Sequence, residues 1–351
     1  MIDYLIVGAG IAGISFAETC LQNHKSILVF EDDSQNSSAI AAGIYNPVIL
    51  KRFTGFNNSQ NQIDIAKFFY EKIEHKLNVK LDFELPILRK FTSIEEQNNW
   101  FVASDKPNLN PFLSLDLVTD KFQFIDSPFD YGKVLQTGYI DTKIYLQYYK
   151  TFLAKHNWFV NDCFNYNLMH FHDDFVEYNG SKFRNVVFAE GFGIHNNPFF
   201  NYLPLDGTKG ELLIIRASKL NLEVIMNSSI YFVPLGDALY KVGATYNWDD
   251  KSSAKTGAGK KELLEKIESV IDCEFEVIEH LAGIRPTVKD RKPLLGTHFN
   301  HKRIHVLNGL GTRGVLLGPE MAQLLFDCIE NHIIIPWEIN IERFNKYLIF
   351  K

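Results

Sequence analysis

The chain has 351 residues, 46% of them hydrophobic and 14% aromatic, with a formal net charge of −6. That is enough apolar side chain to bury a core without disulfide or metal staples, and enough length for about two domains. Its charges are interspersed and form no basic stripe, so neither a nucleic acid nor an anionic membrane surface is favoured as a partner.

The amino end, YLIVGAGIAGISFAETCLQNHKSILVFEDD, predicts strand, tight glycine turn, amphipathic helix and second strand. Tyr4 to Val7 form a short β-prone run, and Gly8-x-Gly10-x-x-Gly13 follows at once. Ile14, Ala17 and Leu21 then recur at helical spacing, and Ile27 to Phe30 make another buried strand ending in Glu31 and Asp32. The three glycines do different things. Gly8 permits the turn, Gly10 admits backbone to a pyrophosphate, and Gly13 lets helix and strand pack closely. The helix N-terminus then faces the phosphates. Glu31 lies 31 − 13 = 18 residues beyond the last glycine, near the roughly 20 expected for a carboxylate that takes a ribose hydroxyl pair. These residues alone leave NAD and FAD open.

The next stretch, SSAIAAGIYNPV at 37–48, is small, hydroxylated and glycine-bearing. Ser38, Ala39, Ala42, Gly43 and Ile44 are predicted to lie against a large planar ligand, since small residues let backbone approach it. A nicotinamide-binding chain would proceed here to a third parallel strand; this one enters a polar region, KRFTGFNNSQNQ.

At this point the chain resembles the D-amino-acid oxidase-like flavoproteins, a family that includes glycine oxidases, sarcosine oxidases and the FAD domain of a bifunctional tRNA wobble-uridine modification enzyme. The resemblance continues in family order through GYIDTKIYLQYYKTFLAKH from Gly138, NVVFAEG ending at Gly191, KGELLII, IYFVP, KVGATY, AGIRPTVKDRKPLLG and NGLGTRGVLLGP. It implies an α/β architecture: a Rossmann-like FAD-binding domain of the glutathione-reductase type, with a second, antiparallel-sheet substrate domain. Local composition divides the chain accordingly. Residues 1–80, 138–204 and 276–351 carry the βα patterns and glycine turns. Residues 81–137 and 205–275 hold strand-like runs and a surface helix from Lys261, and are expected to form one sheet roofing the flavin.

The resemblance also implies FAD as cofactor, held non-covalently, since the linking cysteine of sarcosine oxidases has no counterpart. Ala189 and Gly191 form the small-x-Gly turn that returns to the cofactor. Gly311 and Gly314 let the chain pass beside the isoalloxazine, and the helix starting near Val315 aims its amides at the pyrimidine end, where they favour negative charge. Arg285, confined by Pro286, stands where relatives grip a substrate carboxylate with a planar fork. Tyr231 falls where a tyrosine hydroxyl meets the same carboxylate, with Tyr246 a weaker candidate. Arg313 stands at the substrate mouth as a second cation. The competing reading makes Arg285 a structural arginine paired with Asp290 or Glu190.

The implied activity is oxidation of an amine or amino acid of small or N-substituted glycine type, by hydride transfer to flavin. Dioxygen or another acceptor would take the electrons. A tRNA-modifying FAD enzyme acting on carboxymethylaminomethyl uridine is the first rival, which the acidic composition disfavours. A non-catalytic flavin-binding protein is the second. Cys20, Cys163, Cys273 and Cys328 are scattered without metal-ligand spacing, so reduced thiols in a cytoplasmic protein and no metal are predicted. His298, His301 and His305 are expected to be structural, and Lys51 and Arg52 solvated. No run reaches the roughly 18 apolar residues of a membrane helix.

Overall fold

The computed structural model describes residues 1–56 and 58–347. The first strand, Ile2–Val7, is buried from Tyr4 onward, and its two faces serve two different cores. Tyr4 and Ile6 point into a cluster with Phe16, Ala17 and Leu325, while Leu5 and Val7 point into another with Phe183, Phe188 and Val306. Period-two alternation with both faces apolar is what a central parallel strand requires. Helices Ile11–Gln22 and Gly314–Asn331 cover the first face.

Strands Phe159–Asn161, Ile27–Glu31, Ile2–Val7, Ser181–Phe188, Val176–Tyr178 and Met169–Phe171 lie side by side in that order. Ile304–Asn308 also pairs with Ser181–Phe188, and Leu294–Thr297 pairs with Ile304–Asn308. The four central strands run parallel, and Val7 is level with both Phe30 and Phe188, as Phe188 is with Val306. Their carboxyl ends therefore form one edge. Glu31, Gly8, the Ala189–Gly191 turn and the Asn308–Gly314 segment all leave from it, which is where open α/β sheets bind ligands.

The second sheet runs Glu276–Arg285, Thr208–Arg216, Leu239–Gly243, Tyr231–Gly236, Ile225–Asn227, Ile87–Lys90 and Tyr131–Val134, antiparallel except for one pair. Helix Gly257–Glu268 packs Leu263 and Ile267 against it, and Thr256 caps that helix by accepting from the Gly259 amide. Two features depart from the sequence reading. Composition places 276–285 in the nucleotide-binding unit, yet strand Glu276–Arg285 pairs with Thr208–Arg216 along its whole length. The chain returns to the first sheet only at Leu294, because this run is a long pleated strand and not the start of a βα unit. The block 81–137 also holds a helix, Ile94–Ser104, and its strand Asp82–Glu84 joins Gly138–Ile140 and Ile44–Tyr45 in a small third sheet.

The polar stretch after Phe56 becomes the 19-residue helix Ser59–Leu77. Its Ile63, Ala66, Tyr70 and Ile73 are buried, and the Tyr70 hydroxyl donates to the Val315 carbonyl at 3.1 Å. No helix among the described residues is long and apolar enough to cross a membrane.

Candidate active site

A cavity of about 870 Å³ opens along the carboxyl edge of the first sheet and beneath the second. At one end the Gly8 turn, with φ +103°, brings backbone so close that a Cβ there would lie 2.4 Å from the Ala189 oxygen. A Cβ on Gly13 would lie 1.8 Å from the Gly8 oxygen, so Gly13 packs behind the turn and does not line the cavity. Gly10 is the N-cap of helix Ile11–Gln22 and supplies no side-chain cap. The helix's first amides are left to Ser38, whose Oγ accepts from Ile11 N at 3.2 Å, and to the cavity.

Glu31 ends the second strand and lines the cavity beside Asp32. Its Oε2 accepts from Ala9 N at 2.5 Å and its Oε1 from Asp33 N at 3.1 Å, while burial raises its carboxyl above the usual range. Ala42, Gly43 and Ile44 line the middle of the cavity with Ser38. Gly43 has φ +69°, and a Cβ there would meet the Ile140 oxygen at 1.9 Å. Ala39 does not face the cavity; it turns away on the short helix Ser37–Ile40 and packs on the core. Ala189 and Gly191 line the opposite wall. Between them Glu190 accepts from Tyr166 and from Asn197 Nδ2, and burial pushes its carboxyl up to about 7.

The far end is cationic. Arg285 closes strand Glu276–Arg285, and its guanidinium crosses Gly210, where a Cβ would lie 2.2 Å from Nη1. The Tyr246 ring covers it, with Cζ 4.5 Å from the centroid, and among the described residues its side chain finds only a long hydrogen bond, from Nη1 to the Thr245 carbonyl at 3.4 Å. Neither expected acid pairs with it: Asp290 accepts from Arg343 at 2.9 Å, and Glu190 is held by Tyr166 and Asn197. Burial lowers the Arg285 pKa. The loop carrying Tyr246 is pinned next to Gly210, since buried Lys209 pairs with Asp250 and exchanges backbone bonds of 2.9 and 3.0 Å with Asn247. Tyr231 begins the strand opposite Gly243 and lines the cavity, as does Asn46; burial raises its hydroxyl pKa.

Arg313 points to the wall made by helix Ser59–Leu77. Its Cζ lies 3.5 Å from the Phe56 ring centroid, Nη2 donates to Gln62 Oε1 at 2.6 Å, and buried Nε has no partner among the described residues. Gln62 in turn donates to Glu320 at 2.8 Å. Burial brings the Arg313 pKa down to about 10, opposed by the Glu320 charge. Gly311, with φ +59°, precedes it, and Gly314 and Val315 line the cavity at the start of helix Gly314–Asn331. That helix also has no side-chain N-cap, which leaves its first amides for a ligand.

Sequence reasoning passes over several lining residues. Lys241 is buried with Nζ donating to the Ala41 carbonyl at 2.9 Å, and burial lowers its pKa. A lysine inside the apolar run LYKVG is the available signal. Arg89 also lines the cavity but is spoken for by Glu96 at 2.6 Å and Asn227 at 2.8 Å. Phe56, which lines the cavity, and Gln62, which reaches it through Arg313, carry no local signal. Lys51 lines the mouth and is exposed, as is Arg52. His298 and His301 stack on one another, with Phe199 edge-on to both, outside the cavity lining. His305 bonds Thr297 at 2.9 Å. No group of three His, Cys, Asp or Glu among the described residues is placed to hold a metal.

Uncapped helix starts at both ends, glycines at 8, 13 and 43 that exclude a Cβ, an acid at the second strand's end and a long cavity between two sheets are the features of a dinucleotide-binding α/β protein. The residues fit FAD: the Gly8–Gly13 turn with Glu31 suits its adenosine diphosphate half, and the small Ala42–Ile44 segment with the Gly314 helix suits a broad planar ring. The family described as FAD dependent oxidoreductase matches residues 3–328, and the chain belongs to it. FAD is therefore its cofactor. Glycine oxidase of Bacillus subtilis (strain 168) is 23% identical over 355 residues, covering 94% of this chain and 93% of that protein. The tRNA 5-methylaminomethyl-2-thiouridine biosynthesis bifunctional protein MnmC of Campylobacter jejuni subsp. doylei is 23% identical over 304 residues, which are 84% of this chain but 46% of that protein. The crystal structure of glycine oxidase from Geobacillus kaustophilus superposes with a TM-score of 0.78 at 18% identity, over 98% of this chain and 97% of that one.

Proposed function

We propose that the protein oxidises a small amino acid or N-substituted glycine at the carbon beside nitrogen, with FAD held non-covalently. The observation that carries this reading is Arg285: a partly buried guanidinium with no carboxylate partner among the described residues, facing the cavity under an aromatic lid. A buried cation left unpaired is costly, and a substrate carboxylate offsets that cost with two parallel hydrogen bonds. Gly210 clears space for the fork and Tyr231 offers a hydroxyl from the same sheet.

The flavin supplies a two-electron centre that accepts hydride. The chain's residues do the remaining work, which is to hold the carboxylate, exclude water and orient the C–H bond. Two electrons and a hydrogen leave the carbon as hydride, the nitrogen loses a proton, and the imine formed adds water to give amine and carbonyl. Anaerobic mixing with a panel of free and N-substituted amino acids tests the reading: at least one must bleach the flavin, and a panel without effect rejects it.

The MnmC match supports a second reading, in which the same carboxylate grip serves an N-substituted glycine carried on tRNA. The net charge of −6 weighs against it, and binding of a modified anticodon stem-loop over a salt series separates the two.

A further inference from the structure

Arg285 and Arg313 do not share a partner. Arg285 is framed by Gly210, Thr245 and Tyr246 of the second sheet and its loop, whereas Arg313 is framed by Phe56 and by Gln62 of helix Ser59–Leu77. An arginine has five N–H donors; Arg313 gives one to Gln62, and its Nε is buried without an acceptor among the described residues. Stacking on Phe56 occupies the face of the guanidinium and leaves its edge, where the donors lie. Gln62 is neutral, and the acid whose charge acts on Arg313, Glu320, stands behind it as that amide's own acceptor. The cavity thus presents two separate forks, neither with a carboxylate hydrogen-bonded to it among the described residues.

One monocarboxylic amino acid cannot satisfy both. It is a zwitterion whose carboxylate meets Arg285 and whose nitrogen, once deprotonated for oxidation, carries no charge for Arg313. We propose that Arg313 is a second anion subsite and that the substrate is an amine bearing two acidic groups, such as an N-carboxyalkyl amino acid, its second carboxylate gripped by Arg313. This rests on the amine-oxidation reading for the reacting end, and extends it by assigning the other arm.

The test uses FAD-loaded protein and ligands that cannot be oxidised. Malonate, succinate and glutarate are each titrated against the monocarboxylate with the same number of carbons, by flavin absorbance and by calorimetry. One dicarboxylate should bind roughly 10- to 100-fold tighter than its monocarboxylate, as a single charge-assisted hydrogen bond provides. Arg313→Met, which keeps the stacking stem on Phe56, should bring that ratio close to one. Gln62→Leu, which frees the guanidinium without removing it, should lower it by a smaller factor, and FAD content reports whether either variant has folded. A ratio near one at every length in the parent overturns the proposal. So does an Arg313→Met variant in which both ligand types weaken equally. A parent that binds the anticodon stem-loop through Arg313 and shows no dicarboxylate preference overturns it in favour of phosphate. If no amine bleaches the flavin while the dicarboxylate ratio persists, the oxidation reading fails and the second subsite stands.

Discussion

The Gly311 amide donates to the Pro286 carbonyl at 3.2 Å, so the turn that carries Arg313 is bonded directly to the segment that carries Arg285. The two arginines are 28 residues apart in sequence, 313 − 285, and belong to different sheets' connections. This bond ties their backbones together beside the cavity while Tyr246 and Phe56 each hold one guanidinium against a ring. Anchored stems and fixed planes are what geometric selection of a carboxylate needs.

Arg285→Lys keeps the charge and removes the fork. A point ammonium cannot reproduce two parallel bonds or the stacking under Tyr246, so flavin reduction by a turning-over substrate should slow, with a weaker substrate dependence, by about tenfold or more. Rapid mixing measures this; parental rates and parental saturation would show that Arg285 does not touch substrate.

Glu31→Ala should release FAD more readily. The carboxylate orders the Gly8 turn through Ala9 N and would accept from a ribose hydroxyl, and a charge-assisted bond contributes roughly 1.5–3 kcal/mol. Titrating deflavinated protein with FAD by fluorescence should show a Kd weaker by about tenfold or more. An unchanged Kd places the ribose elsewhere.

Gly43→Ala should cost more than Gly180→Ala. Both glycines have positive φ, +69° and +76°, but a Cβ at residue 43 meets the Ile140 oxygen at 1.9 Å whereas nothing lies within 4 Å at residue 180. Strain alone costs about 1–3 kcal/mol in either, and the backbone clash adds to it only at residue 43. Melting curves and bound FAD report the difference; equal losses in the two variants contradict it.

Glu190 sets a pH dependence. Its carboxyl titrates at about 7 in the folded protein because it is buried, against about 4.3 in an unfolded chain. Between those values the folded state holds the extra proton, so its contribution to stability falls as pH rises through the window and is fully lost above it. Buried His298 and His305, depressed to about 4 and about 3, act oppositely and lose stability as pH drops below about 6.5. Glu190→Gln should therefore be more stable than the parent at about pH 8, by on the order of 1–3 kcal/mol, with no advantage at about pH 4.5. Melting temperatures of both proteins across that range decide it, and a constant offset rules it out.

Local sequence determined the strand–turn–helix–strand unit at the amino end. Gly8, Gly10, Gly13 and Glu31 lie within one strand–helix–strand unit, where period-two and helical spacings, turn chemistry and a close-packed helix all act over short range. Gly43 is marked by close backbone approach, to the Ile140 oxygen, whereas Gly311 is marked by its positive φ alone. Pairing across distance was decided only by the tertiary structure. The ten-residue run at Glu276–Arg285 fits either sheet by its own pattern, and hydrogen bonding to Thr208–Arg216 settles it. Asp290 and Glu190 both suit Arg285 as partners by charge, and the fold gives them instead to Arg343 and to Tyr166 with Asn197. Arg313 takes its direction from Phe56 and Gln62, the latter 251 residues away on a helix whose polar opening disguises its buried face. Backbone conformation is decided by neighbours in the chain; the partner of a long charged side chain is decided by whichever wall the tertiary structure brings within reach.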